Sequence, residues 1–141
     1  MQTKLAAGIV SAGLLLGAAT ARGHHAFSAE FDANSPIKLE GTVAKVEWVN
    51  PHAWVYVDVK KSDGTMEQWK IEGGTPNALF RRGFTKDSLK IGTAIVVTGF
   101  RAKDGTLKGN GRDLTFPDGR KLFLGSSGTG APGDGGNPPE K

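Results

Sequence analysis

The stretch Trp48-Val49-Asn50-Pro51-His52-Ala53-Trp54 separates two runs that read as β-strands. Asn-Pro is a strong turn signal, because proline sets φ near −65° and moves the residue before it out of the helical region. The corner carries two of the chain's three tryptophans and one of its three histidines. Upstream, over residues 37–48, Leu39, Gly41 and Val43 share one face. Val46 and Trp48 then continue the pattern one residue out of step. A single extra residue, a β-bulge, produces such a flip. Gly41 inside the strand suits sharp coiling or close approach of another backbone. Downstream, over residues 53–60, Ala53, Val55, Val57 and Val59 form one face, and Trp54, Tyr56 and Asp58 the other. The valine face is the expected core. Trp54 and Tyr56 then either form a half-exposed binding surface or lie under a neighbouring loop or the N-terminal arm.

Beyond the second strand, Ser62-Asp63-Gly64-Thr65 is a hairpin turn. Residues 66–73 make a third strand, with Trp69 and Ile71 toward the core. Thr75-Pro76 opens a short helix, since threonine is a good N-cap and proline is favoured at the first helical position. Leu79 and Phe80 are expected to face inward, and Gly83 to end the helix after Arg81 and Arg82. Residues 93–101 and 111–116 supply two more strands, and 120–124 a last short segment. Three strands, a helix, then two strands is the order of an OB-fold, a five-stranded Greek-key barrel. The expectation is an all-β chain with a small helical contribution. A plain β-sandwich is the rival, but the single helix after the third strand favours the barrel.

The flanks are of different material. Met1-Gln2-Thr3-Lys4 is a short positive start, residues 5–18 are small and apolar, and Ala19-Thr20-Ala21 has the A-x-A form of a signal-peptidase site. The apolar run is short for a membrane span, which needs about 20 residues. A cleaved signal peptide over 1–21 is therefore expected rather than a retained anchor, and with it export to the periplasm. Residues 22–36 form an arm that Phe27 and Phe31 could pin to a barrel over 37–124. The stretch 125–141 is mostly Gly, Pro and Ser, with no large apolar residue, and is expected to be disordered. Without Lys4 the chain has 17 basic and 14 acidic side chains, interspersed as on an ordinary solvated surface. Export and this mild balance argue against a nucleic-acid partner; an envelope protein or a small ligand is expected. The absence of cysteine excludes disulfides and thiolate metal sites.

The histidines are the candidate metal ligands: His24, His25 and His52. Neutral imidazole suits copper, zinc and nickel. Cleavage after Ala21 leaves Arg22-Gly23-His24 at the terminus. Its amine, two backbone amides and imidazole could then wrap Cu(II) or Ni(II) in a tetragonal nitrogen set. Cleavage after Gly23 makes His24 terminal, so that its amine and ring, with His52, would resemble a histidine brace. Copper is thus the candidate cofactor. Against this, paired histidines at a terminus bind divalent metals weakly without purpose, and His52 could simply cap a turn. The competing reading is a non-metal groove lined by Trp48, Trp54, Tyr56, Arg81 and Arg82, of the kind OB-folds use for oligosaccharides, oligonucleotides or peptides. No nucleophile-elbow serine and no H-E-x-x-H is present, so catalysis is not expected.

His24-His25-Ala26-Phe27, the corner from Glu47 to Trp54, and Pro76-Asn77-Ala78-Leu79 with Arg82-Gly83-Phe84 together resemble a family of small exported proteins of Gram-negative bacteria with no known function. The resemblance spans residues 21–125. It implies periplasmic location and a small β-barrel, and it assigns no activity. The fold is also similar to that of periplasmic OB-fold proteins linked to stress responses and ligand binding, a likeness that does not carry function.

Overall fold

The computed structural model describes residues 25–125. The expected signal peptide, His24 and the tail beyond Gly125 lie outside them. The elements are α1 (His25–Glu30), β1 (Phe31–Glu47), β2 (Trp54–Lys60), β3 (Met66–Glu72), α2 (Pro76–Arg81), β4 (Ala94–Ala102), β5 (Lys108–Thr115) and β6 (Lys121–Phe123). The sheet order is β3-β2-β1-β4-β5-β6, and a parallel β3–β5 pairing closes five of the strands into a ring. With α2 between β3 and β4, this is the Greek-key barrel of an OB-fold. β6 extends the sheet beyond the ring by pairing with β5.

β1 is the spine of the barrel. It pairs with β4 through its first part and with β2 through its last. The expected bulge is present: the β1–β2 register slips between Val43 and Lys45, so that Val43 and Val46 both face the core. At Gly41 a Cβ would lie 2.3 Å from the Asp58 carbonyl oxygen, so β2 crosses β1 where only glycine fits. β1 also begins earlier than the reading at 37 expects. The Asn34-Ser35-Pro36 break is a register shift inside the strand, held by Asp32, which accepts from the Asn34 amide (2.9 Å) and the Ser35 hydroxyl (2.8 Å). The arm is short and docked: Phe27 and Phe31 are buried with Ala102 against Phe100.

The core holds the valine face of β2, with Val43, Trp69, Ile71, Val97 and Leu114. α2 plugs one end. Thr75 caps it by accepting from the Ala78 amide at 3.2 Å, and Gly83 turns the chain away with φ 80°. Leu79 is fully buried, but Phe80 is 66% exposed. The expectation that both face inward fails because neighbouring helical residues point about 100° apart and a six-residue helix has one buried stripe. Phe84, beyond Gly83, takes the second inward place instead.

β5 also starts three residues before the expected 111. Its Gly109 and Gly111 lie against Ile71, and a Cβ on Gly111 would come within 2.7 Å of Leu124 and 2.8 Å of Ile71. The glycines let β5 close against β3. Leu124 is fully buried, and Gly125, expected to begin the tail, is buried too.

Candidate functional site

The site is a two-row platform on the outside of β1, β2, β3 and β5. Side chains two apart on a strand share a face, and paired residues on neighbouring strands stand side by side. The registers Lys45↔Tyr56, Tyr56↔Lys70 and Lys70↔Lys108 align one row across four strands. Glu47↔Trp54, Trp54↔Glu72 and Glu72↔Asn110 align the next. At about 4.8 Å per strand, each row is roughly 14 Å long. One row is basic around Tyr56 and the other is acidic around Trp54. Both rings are half-exposed, as the alternation in β2 requires.

The ammonium of Lys70 lies 4.2 Å from the Trp54 ring centre and 5.8 Å from that of Tyr56. Such contacts contribute about 0.5–1 kcal/mol at exposed positions. Lys45 bonds Glu47 and lies 5.2 Å from the Tyr56 ring, while the Tyr56 hydroxyl donates to Glu47 at 3.2 Å. These partners, Lys45 first, hold the Glu47 carboxyl below the ordinary glutamate range. Asp58 and Gln68 extend the surface with a 2.9 Å hydrogen bond.

One end of the platform meets the Asn50-Pro51-His52 corner, whose Asn50–Pro51 peptide is cis. The corner is braced by backbone bonds: Ala53 N–H to Gly74 O (3.0 Å) and Gly73 N–H to Ala53 O (2.8 Å). His52 Nδ1 lies 3.2 Å from Gly73 O and 3.6 Å from Glu72 Oε1. A carbonyl oxygen can only accept, so Nδ1 carries a proton, and in the neutral ring Nε2 is the lone-pair nitrogen. Glu72 is only 12% exposed, and Asn110 donates to it at 3.4 Å. Burial pushes its carboxyl above the ordinary range. The charge of Glu30 adds to this, while His52, Asn110 and Lys108 pull it back. Glu30 ends α1 and pairs with Lys108, so the N-terminal arm docks on the same side of the barrel as Glu72.

The structure therefore brings Trp54, Tyr56 and His52 to one face. Trp48 instead packs on the core with its ring 5.8 Å from that of Phe84. Arg82 caps α2, lies 4.7 Å from the Phe123 ring and donates to the Phe123 carbonyl at 3.3 Å, a cluster built on the C-terminal segment. Arg81 is exposed on α2. His25 opens α1, but its side chain, like all of His24, lies outside the described residues. Among those residues no group of three or more His, Cys, Asp or Glu side chains could hold a metal ion. None of their helices is long and apolar enough to cross a membrane. Sequence reading missed Lys70, Glu72, Lys108 and Asn110. The alternation of β3 exposes Lys70 and Glu72, but the β3–β5 register that joins them to Lys108 and Asn110 has no local signal.

The buried carboxylate has a testable cost. A folded-state pKa raised above the unfolded value gives stability that is complete below the ordinary glutamate pKa and lost as pH rises through the raised value. Glu72→Gln is thus expected to stabilise the protein at neutral pH by on the order of 1 kcal/mol. The gain should vanish near pH 4, about the ordinary glutamate value. Urea unfolding at several pH values measures it. The exposed carboxyls held low, Asp32, Glu47, Asp63, Asp104 and Asp118, act only at lower pH, so the two windows separate.

No curated protein and no solved structure matches the chain. Residues 12–111 match a family model described as a family of unknown function, DUF6152. That match covers all of β1 to β4, the corner and the start of β5, and the chain belongs to this family.

Proposed function

We propose that this is an exported, periplasmic binding protein whose ligand lies on the outer face of β2 and β3, against Trp54 and Tyr56. The observation that carries the reading is the platform itself. Two half-exposed aromatic rings stand side by side on a rigid strand, framed by lysines and by acids and amides able to hydrogen-bond. OB-folds use this face for extended ligands. Glu72 beside it, buried and with its carboxyl held above the ordinary range, is the kind of perturbed group that functional sites collect. Indole fluorescence with a panel of neutral and acidic oligosaccharides and short peptides tests the reading. A saturable change that depends on Trp54 is expected, and a panel with no such member sinks it.

A second reading rests on His52. Its Nδ1 is engaged by Gly73 O, the arrangement in which the other ring nitrogen serves as a metal ligand. The arm that leads back to His24 and His25 docks nearby through Glu30. Copper held by His52 with the amino-terminal histidines is that alternative. On this reading His52→Ala weakens Cu(II) binding by the mature protein about tenfold or more, as read by calorimetry. Unchanged affinity removes His52 from any site. Intact mass of the exported protein fixes the new N-terminus and with it the ligand set.

A further inference from the structure

We propose that the platform takes an oligosaccharide bearing an isolated anionic group, with Lys70 as the residue that reads the anion. The inference rests on the Trp54/Tyr56 reading above and names its ligand class. Of the three lysines in the basic row, Lys45 is paired with Glu47 and Lys108 with Glu30. Among the described residues Lys70 makes no salt bridge; Glu47 acts on it only at longer range, and its ammonium lies over two ring faces. A half-buried cation outside any salt bridge, centred on a stacking surface, is suited to one anion carried beside a ring. The surroundings select against a dense polyanion. Glu47 and Asp58 stand on the same face, and Glu72 closes the end, so a chain with a phosphate at every unit would meet three carboxyl groups. Those groups, with Gln68 and the Tyr56 hydroxyl, instead suit the many hydroxyls of a sugar chain. The apolar faces of sugar rings stack on Trp54 and Tyr56, and the anion replaces water at Lys70.

The test uses a xylo-oligosaccharide carrying one glucuronate, the same compound with that carboxyl methyl-esterified, and an oligothymidylate of similar length. Binding is followed by indole fluorescence and calorimetry on the mature protein. The acid should bind about tenfold more tightly than the ester, and added salt should narrow the gap. Lys70→Gln should abolish the difference between acid and ester, whereas Lys70→Arg should keep it. Thermal unfolding of both variants checks that the fold is intact. Equal binding of acid and ester overturns the role of Lys70 but leaves the stacking surface standing. Tighter binding of oligothymidylate overturns the sugar assignment. Failure of both glycans to bind overturns this inference alone, because the wider panel still judges Trp54.

Discussion

Leu79→Ala is expected to cost about 3 kcal/mol of folding stability, with the neighbouring Phe80→Ala within about 0.5 kcal/mol of the parent. Leu79 is fully buried beneath α2, among Phe84 and the residues that close the barrel end. Truncating a buried leucine loses its transfer free energy and leaves a cavity that a closed barrel cannot readily collapse. Phe80 is the larger side chain, but it is 66% exposed and has little burial to lose. Domains of this size have a total stability of about 5–15 kcal/mol, so the first substitution removes a large share of it. Urea melts of the two variants settle the matter. Equal losses, or a larger loss at Phe80, would mean that α2 is rotated from the position described.

Trp54→Ala should weaken ligand binding between tenfold and a hundredfold while changing stability by less than about 1 kcal/mol. Stacking on an aromatic ring contributes roughly 1–3 kcal/mol per ligand ring, and each 1.4 kcal/mol is a factor of ten. The structural part is small because Trp54 is half-exposed on the outer face, and its ring contact is with the Lys70 ammonium rather than the core. Trp69 is the internal comparison. It stands on the other face of the sheet, 6% exposed, so Trp69→Ala should unfold the protein without reporting on the site. A Trp54→Ala protein that binds its ligand normally would move the site elsewhere.

Much of this was legible from the chain because the local rules were obeyed. The phase flip after Val43 announced the bulge, Gly41 the crossing of β1 and β2, and Thr75-Pro76 the start of α2. Alternation in β2 correctly put the valines inside and Trp54 with Tyr56 outside. What was not legible depends on pairing between distant strands. Gly109 and Asn110 lie before the strand expected at 111, yet they form the tight parallel seam that closes the barrel and brings Lys108 and Asn110 to the platform. Glu72 looked like an outward residue of an ordinary strand. The corner at His52, the seam at Asn110 and the charge of Glu30 all reach it from distant parts of the chain. Arg82 read as a groove residue because nothing local shows that Phe123 folds back onto it.

The most direct measurement is amide and indole chemical-shift mapping of the protein, titrated with the panel of neutral and acidic oligosaccharides and peptides. Saturable shifts are predicted at Lys45, Trp54, Tyr56, Lys70 and Glu72, in both rows at once, with Leu79 and Phe84 at the plugged end unmoved. Shifts centred on α2 and Phe123, or a panel that leaves both rows unchanged, would contradict the account.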